Sequence, residues 1–272
     1  MLRPRIIPCL LVHNNGLVKT IKFKDPKYVG DPLNAVRIFN EKEVDELMVV
    51  DIDATSQGKK PDYRLIQNLA AECQMPLCYG GGIKTADEAQ YIFSLGVEKI
   101  ALSASAIDSP NLITEIAKRV GNQSVVVVLD VKKKLLGHKY ELFSHNGKKS
   151  RGIDPVEFAK RCEELGAGEI IINSIDRDGT MEGYDHILVD KIRTAISVPM
   201  TVLGGAGSLS DIGSLIGKHG IIGAAAGSLF VFKGKYKAVL INYPRPSEKD
   251  QVISKYFVQS KIIDQITRGK TF

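Results

Sequence analysis

The sequence predicts a (β/α)₈ barrel built from two similar halves. The stretch from Asp31 to Ser105 recurs without a gap as Asp154 to Ser228, and each copy alternates helices with apolar strands. Such alternation is typical of a parallel sheet with helices outside it. A repeat of this length indicates a duplicated half-domain rather than a short solenoid unit. Two such halves of four βα units close most simply into a barrel, whereas an open doubly wound sheet would not need the repeat.

The elements of the first half follow in order along the chain. An unbroken apolar run predicts a first strand at 6–12, as expected for a parallel strand buried on both faces. The alternating segment 17–23 follows a polar turn and is typical of a hairpin arm. Asp31 and Pro32 open a helix as its cap and its first residue. The other elements predicted in this half are strands at 46–52, 76–79 and 99–103, and helices at 63–73 and from Thr85 onward.

The second half begins with an apolar strand at 124–131 that matches the first strand in character. A basic insertion at 132–152 follows, in which Asn146-Gly147 is a hairpin turn signal. The second copy then supplies strands at 170–173, 200–203 and 221–226. We therefore expect one barrel domain at 1–245, with half-barrels at about 1–122 and 123–245, and a tail at 246–272 that carries a helix candidate at 251–266.

Composition narrows the function classes. With 272 residues, 44% hydrophobic and 25% charged, the chain is ordinary for a soluble globular protein. It has no apolar run of 18 residues and no signal-peptide pattern, so we expect no membrane association and a cytoplasmic location. The net charge of +6 comes without a nucleic-acid-binding motif. A basic surface that attracts phosphorylated small molecules explains it, and no nucleic-acid partner is predicted.

Two glycine-rich places at strand ends predict phosphate sites. In a barrel of this kind, reactive groups lie at the C-terminal ends of the strands. Glycine lets backbone N–H groups close on an anion, and the helix N-termini that follow add a positive dipole end. The first cradle comprises Gly81, Gly82, Ser103 and Ser105, and the second comprises Gly179, Gly204, Gly205, Gly227 and Ser228. The pairing indicates a ligand with a phosphate at each end, stretched across the barrel mouth.

Asp130 ends the fifth strand inside an otherwise apolar run. A buried charge is unfavourable unless it has partners or performs chemistry, so we interpret Asp130 as a general acid or base. A structural carboxylate held by backbone donors is the alternative. Overlaying the two halves places Leu11 at the matching end of the first strand. A symmetric acid–base pair across the mouth therefore lacks one member.

Other polar residues near strand ends leave two interpretations open. The aspartates there either bind ligand hydroxyls or cap loops; they are Asp51, Asp53, Asp176 and Asp178. Lys19 either closes over an anionic substrate or is a solvated surface lysine. The histidines show no metal-ligand spacing, so neither a metal nor another cofactor is predicted; they are His13, His138, His145, His186 and His219.

Four charged residues fall at the starts of strands, on the opposite face; they are Arg5, Glu46, Lys99 and Glu169. Charges at this end of a barrel usually only solvate its floor. Two cations and two anions are also able to form a closed salt-bridge ring, which is less usual.

Several motifs resemble the synthase (cyclase) subunit of imidazole glycerol phosphate synthase, over about residues 1–245. They are Ile6-Ile7-Pro8-Cys9-Leu10, Gly80-Gly81-Gly82-Ile83, Gly166-Ala167-Gly168-Glu169-Ile170 and, most specific, Ser174-Ile175-Asp176-Arg177-Asp178-Gly179-Thr180. The resemblance implies a two-fold barrel with a glutaminase subunit docked on its N-terminal face, touching positions equivalent to Glu98 and Gln123. It implies that ammonia crosses the charged floor and reaches a bisphosphorylated ribulosyl-formimino-carboxamide ribonucleotide. Cyclisation and cleavage then release imidazole glycerol phosphate and aminoimidazole carboxamide ribonucleotide.

The resemblance also identifies one departure. The family's acid–base pair is two aspartates, and this chain keeps Asp130 but has Leu11 at the other position. The pattern, including the loop 53–58, is similar to paralogues that serve surface-polysaccharide synthesis. There, ammonia converts a sugar acetamido group to an acetamidino group with a third amidotransferase protein.

Three functional hypotheses remain. The first is a paralogous amidation subunit with weak or no cyclase activity. The second is a working cyclase in which Asp51 or Asp178 replaces the missing carboxylate. The third is a non-catalytic ammonia conduit that activates the glutaminase. The sister phosphoribosyl isomerase barrel is disfavoured, because a charged floor gate would have no purpose there.

Overall fold

The computed structural model describes residues 3–134 and 139–268, with side chains as far as Phe257. Elements of the first half are β1 (Arg5–His13), β2 (Gly16–Ile21), β3 (Lys24–Gly30), α1 (Pro32–Glu41), β4 (Leu47–Asp51), α2 (Ile52–Ser56), α3 (Tyr63–Glu72), β5 (Leu77–Gly80), α4 (Ala86–Ser94), β6 (Lys99–Leu102), α5 (Ala104–Asp108) and α6 (Asn111–Val120).

A single 3₁₀ turn at Asn122–Ser124 leads into the second half. Its elements are β7 (Val125–Lys133), β8 (Tyr140–Ser144), β9 (Lys149–Ser150), α7 (Pro155–Glu164), β10 (Glu169–Ser174), α8 (His186–Arg193), β11 (Met200–Leu203), α9 (Leu209–His219), β12 (Gly223–Ala226), α10 (Ser228–Val231), β13 (Phe232–Lys233), β14 (Ala238–Val239) and α11 (Pro246–Arg268).

Eight parallel strands close into a barrel. The strand order runs from β1 through β4, β5, β6, β7, β10 and β11 to β12. β12 pairs back with β1, where Gly223 lies opposite Arg5 and Ala226 lies opposite Pro8. This closure confirms the predicted (β/α)₈ barrel and excludes the open doubly wound sheet. The last barrel strand begins at Gly223, two residues later than predicted.

The two halves begin their helices in the same way. Asp31 caps α1 by accepting a hydrogen bond from Asn34 N, with Pro32 in the first position. The equivalent Asp154 caps α7. Capping boxes likewise start α4 and α9, at Thr85 and Ser208. Each such cap contributes about 1 kcal/mol, so the repeat preserves local stability as well as topology.

Alternation along β1 separates its two faces. Ile6, Leu10 and Val12 pack outward in the main core between the sheet and the helices. Ile7 and Cys9 belong instead to a second cluster of buried residues inside the barrel. Because side chains of a strand point to opposite faces in turn, the odd-numbered residues of β1 face the barrel axis. One strand thus runs from the floor to the mouth along the lumen.

Two hairpins flank the mouth. β2 pairs with β1 and β3, and β8 pairs with β7 and β9, all antiparallel. Asn146 and Gly147 adopt left-handed backbone between β8 and β9, which confirms the predicted turn.

The last helix, α11, packs against α9, where Tyr256 covers Gly213. The final four residues of the tail, 269–272, lie outside the described part of the chain. Within the described residues, none of the helices combines the length and the apolar character that crossing a membrane requires.

Candidate active site at the barrel mouth

A cavity of about 110 Å³ opens at the C-terminal ends of the strands. Leu11, Asp51 and Asp130 line it together with the first glycine cradle. A second, smaller cavity of about 30 Å³ adjoins it and contains the second cradle. Leu11, Cys9 and Asn173 line both cavities, so the two cradles are joined across the mouth.

Asp130 lies in the mouth with two side-chain donors. Ser103 Oγ donates to Asp130 Oδ2 at 3.0 Å, and Asn173 Nδ2 donates to Oδ1 at 2.9 Å. Burial raises the pKa of the Asp130 carboxyl to about 6, against the lowering effect of these two hydrogen bonds. A carboxyl with a pKa near neutrality is suited to exchange protons with a substrate. The donors are side chains, not the backbone groups of the structural alternative.

The equivalent place in the first half is apolar throughout. Leu11 pairs with Val50 in β4, just as Asp130 pairs with Asn173 in β10. Leu11 and Val50 pack against the inner apolar cluster. The repeat also matches Ser103 with Ala226. The carboxylate and both of its donors are therefore replaced by side chains that can neither carry nor stabilise a charge.

The first cradle combines Gly81 and Gly82 with the start of α5. Both glycines have positive φ, and a Cβ on Gly81 would lie 2.6 Å from the carbonyl oxygen of Asp51. Larger residues are therefore excluded there. Ser103 and Ser105, both predicted to bind phosphate, line the cavity, and the Ser103 hydroxyl donates to Asp130.

The second cradle repeats this geometry and adds a buried cation. Gly204 has a φ of 92°, and a Cβ there would lie 2.7 Å from Ser174 O. Gly179, Gly205, Gly227 and Ser228 line the same cavity. Lys19 also lines it and is only 5% exposed, so it is not a surface lysine. A Cβ on Gly227 would lie 3.1 Å from the carbonyl oxygen of Cys9 and would also force the Lys19 ammonium group to shift.

The remaining aspartates are held by loop contacts. Asp51 accepts hydrogen bonds from the first turn of α2, and burial raises the pKa of its carboxyl. Asp53 and Asp176 accept from Asn14 N and Lys133 N, equivalent donors in the two halves. Asp178 is 8% exposed, lines the second cavity and accepts from Thr20 Oγ1 at 2.7 Å.

Arg5, Glu46, Lys99 and Glu169 form a closed ring at the opposite end. Arg5 pairs with both glutamates, and Lys99 Nζ lies 2.9 Å from an oxygen of each. Burial would raise the pKa of Glu169, but Arg5 and Lys99 more than offset it and lower the pKa to about 2. Glu169 therefore stays charged near neutral pH and keeps its ion pairs with Arg5 and Lys99.

The N-terminal face around the ring is concave. A cavity of about 980 Å³ is lined by Arg5, Lys99, Glu169 and Gln123 among others. Gln123 and Glu98 are both exposed on this face, and Glu98 also accepts a hydrogen bond from Leu77 N. The structure thus brings the floor residues together on one face and the glycine cradles together on the other.

The described residues contain no group of histidine, cysteine and carboxylate side chains that could hold a metal. His138 lies outside the described residues.

Sequence reasoning missed two polar residues. Asn173 ends an apolar strand, and only its position opposite Asp130 would have revealed it. Thr201 Oγ1 donates to Glu169 at 2.5 Å from a strand that reads as apolar.

The chain matches the family model described as histidine biosynthesis protein over residues 5–237. A protein of Leptospira interrogans, provisionally named imidazole glycerol phosphate synthase subunit HisF, is 62% identical over 250 residues, which are 92% of this chain and 98% of that protein. A relative in Vibrio vulnificus, provisionally named subunit hisF3, is 58% identical over 253 residues (93% and 97%). Imidazole glycerol phosphate synthase subunit HisF of Chloroherpeton thalassium is 39% identical over 235 residues (86% and 92%). The chain therefore belongs to the family of HisF-type subunits of imidazole glycerol phosphate synthase.

Proposed function

We propose that this chain is a synthase-type subunit that receives ammonia from a partner glutaminase and delivers it to a barrel mouth with altered acid–base chemistry. The observation that carries the proposal is the contrast between the two ends. The four-residue floor ring is complete. The mouth, in contrast, keeps one polar network around Asp130 and has an apolar counterpart around Leu11.

The floor ring and the lumen above it suit the passage of ammonia. Above the ring lie apolar residues and two cysteines, including Cys9, Cys78 and Ala101. Burial raises the pKa of Cys9 to about 11, so its thiol is neutral. A neutral ammonia molecule enters such a lumen at little cost, whereas an ammonium ion would lose its hydration. The concave N-terminal face, with exposed Glu98 and Gln123, is the docking surface we assign to the glutaminase.

The two cradles support a substrate with two phosphates. Gly82 lines the larger mouth cavity, and Gly205 and Lys19 line the smaller cavity beside it. Each side of the mouth thus has a glycine whose backbone N–H is suited to a phosphate, and Lys19 adds a cation on one side. We infer that a phosphorylated small molecule spans the mouth and brings its reactive centre near Asp130.

Leu11 favours a paralogue over a full histidine-pathway cyclase. General acid–base groups contribute about 10²–10⁴-fold each, and leucine carries no proton. The chain is also closer to the provisionally named relatives, at 58% and 62% identity, than to the Chloroherpeton subunit at 39%. We propose that its ammonia serves conversion of a sugar acetamido group to an acetamidino group, with a third amidotransferase protein.

The two alternatives have weaker support. A working cyclase would need Asp51 or Asp178 as the second carboxylate, but Asp51 caps α2 and Asp178 holds Thr20. A non-catalytic conduit has no need for two glycine cradles or for a carboxyl whose pKa is raised to about 6.

The test supplies the purified chain with ammonium and the ribulosyl substrate. We expect turnover far below that of a two-aspartate homologue, and we expect Leu11→Asp to raise it about 10²-fold by restoring a carboxylate. Leu11→Asn is the matched control, because it is polar but cannot exchange a proton. Turnover near that of the homologue, or no gain from Leu11→Asp, would contradict the proposal. Turnover with glutamine and the partner glutaminase in place of ammonium then tests whether ammonia passes through the floor ring.

A further inference from the structure

His13 is the last residue of β1 and shares the axial face of that strand with Arg5, Cys9 and Leu11. Its Nδ1 lies 2.7 Å from Asp53 Oδ1, and Asp53 is fixed in turn because its Oδ2 accepts from Asn14 N at 2.8 Å. No sequence pattern singles this histidine out, since its partner Asp53 is distant in the chain.

The contacts of the ring define its tautomer. Because Asp53 can only accept, Nδ1 carries the proton and donates it. In the neutral imidazole Nε2 is then an acceptor, and Asn14 Nδ2 lies 3.1 Å from it. Asn14 is exposed, so a ligand is able to displace its amide. An imidazole held by a carboxylate at one nitrogen and open at the other is the arrangement of a general base.

His13 also opens onto space that a ligand can occupy. A cavity of about 400 Å³ is lined by His13, Asp53, Phe23, Gln57 and Lys148. Leu11 lines both this cavity and the mouth cavity that contains Asp130. The His13 side chain is 31% exposed, which gives it access to that space. The charged residues that line this cavity with His13 are Asp53 of α2 and Lys148 of the β8–β9 turn, which adds a positive charge.

The equivalent strand end of the second half has no histidine. The position equivalent to His13 is Lys132, whose Nζ lies over the Phe143 ring at 5.7 Å. Asp176, equivalent to Asp53, accepts from Lys133 N in the same way that Asp53 accepts from Asn14 N. Of these two equivalent strand ends, the one that lacks the carboxylate is thus the one that carries the histidine–aspartate pair.

We propose that His13, oriented by Asp53, is the proton-transfer group of the first half of the mouth, so that His13 and Asp130 act together where two aspartates would otherwise stand. Neutral His13 accepts one proton at Nε2 from the bound substrate, and the imidazolium returns it to the departing group or to water. The His13 imidazole is therefore neutral again at the end of each cycle. The inference rests on the proposed function only in taking a bisphosphorylated substrate to bind at the mouth.

Two measurements test the proposal. The first is ¹⁵N NMR of the histidine rings in the intact, unliganded protein. We expect neutral His13 to be protonated at Nδ1, and we expect Asp53→Asn to change this signal. Protonation at Nε2 would overturn the inference, and would leave the proposed function untouched because no substrate is present.

The second measurement is ammonium-dependent turnover of the ribulosyl substrate. We expect His13→Gln, which keeps a donor for Asp53, to lower the residual kcat about 10²-fold with little change in KM. In the Leu11→Asp background, His13→Gln should have less than a threefold effect, because the carboxylate takes over its role. Asn15→Gly is the control, since it preserves the left-handed turn beside the pair.

Residual turnover that is unchanged by His13→Gln, or absent from the wild-type chain, would overturn the assignment. Failure of the proposed function has a different signature, namely no gain from Leu11→Asp and no glutamine-dependent turnover with the glutaminase. A purely structural role for His13 would lower turnover equally in the Leu11 and Leu11→Asp backgrounds.

Discussion

The two halves of the barrel mouth have the same backbone but opposite polarity. In the second half, Asp130 receives hydrogen bonds from Ser103 and Asn173. In the first half, the equivalent strand pairing brings Leu11 beside Val50. The strand registers of the two halves agree residue for residue at this point. The two halves therefore share one scaffold, while the polar network is present on one side only.

The difference teaches that a catalytic carboxylate depends on its neighbours. A buried charge needs donors, and a donor without its acceptor is itself unfavourable when buried. Once one member of such a network is lost, the others gain by becoming apolar. The first half is apolar at all three positions, because Leu11 and Val50 pack against the inner apolar cluster and Ala226 belongs to the main core.

The largest stability effect is expected for Asp130→Asn. The folded state raises the pKa of Asp130 from 3.8 to about 6, so it binds the proton more tightly than the unfolded chain does. The stability that the folded state gains from this tighter proton binding is fully present below pH 4 and is lost as the pH rises through 6. Allowing for water in the mouth, we expect Asp130→Asn to be more stable than wild type by about 2 kcal/mol at pH 7.

Urea unfolding of both proteins at pH 4 and pH 7 measures this difference. Near pH 4 the advantage of Asp130→Asn should largely vanish, because Asp130 is protonated in the folded wild type. Glu157→Gln, on the exposed face of α7, should change stability by less than about 0.5 kcal/mol at either pH. Equal stability of Asp130→Asn and wild type at pH 7 would show that the mouth does not disfavour the charged carboxylate.

The sequence predicted features that depend on neighbouring residues along the chain or on the internal repeat. Asp31 and Pro32 predicted a helix start, and strand starts placed Arg5 and Glu46 on one face, where an ion pair was one of two interpretations. Most individual contacts between side chains of distant strands were beyond it. The burial of Lys19, the bond from Asn173 to Asp130 and the His13–Asp53 pair depend on register, which one chain's pattern does not define.

The next largest effect, on turnover, is expected when the first half receives both a carboxylate at position 11 and an amide donor at position 50. The carboxylate from Leu11→Asp alone lies beside Val50, where it lacks the amide that Asn173 offers Asp130 at 2.9 Å. We expect Leu11→Asp/Val50→Asn to exceed Leu11→Asp in ammonium-dependent turnover about tenfold, since a hydrogen bond to a charged group contributes about 1.5–3 kcal/mol. Val50→Asn alone should give no gain. A double variant no faster than Leu11→Asp would mean that water already supplies the missing donor.

The smallest effect is expected on stability, at the floor of the barrel, where the two halves differ in one side chain. Thr201, the second residue of β11, donates to Glu169, while the equivalent second residue of β5 is Cys78. Thr201→Cys therefore makes the second half resemble the first and replaces a hydroxyl with a weak donor. Because Arg5 and Lys99 still hold Glu169, we expect a loss of only about 1 kcal/mol in urea unfolding. A loss above about 3 kcal/mol, the range for breaking a buried ion pair, would mean that the Thr201 hydroxyl holds the ring together. The expected small loss would instead assign the stability of the ring to its four charges, which come from both halves of the barrel.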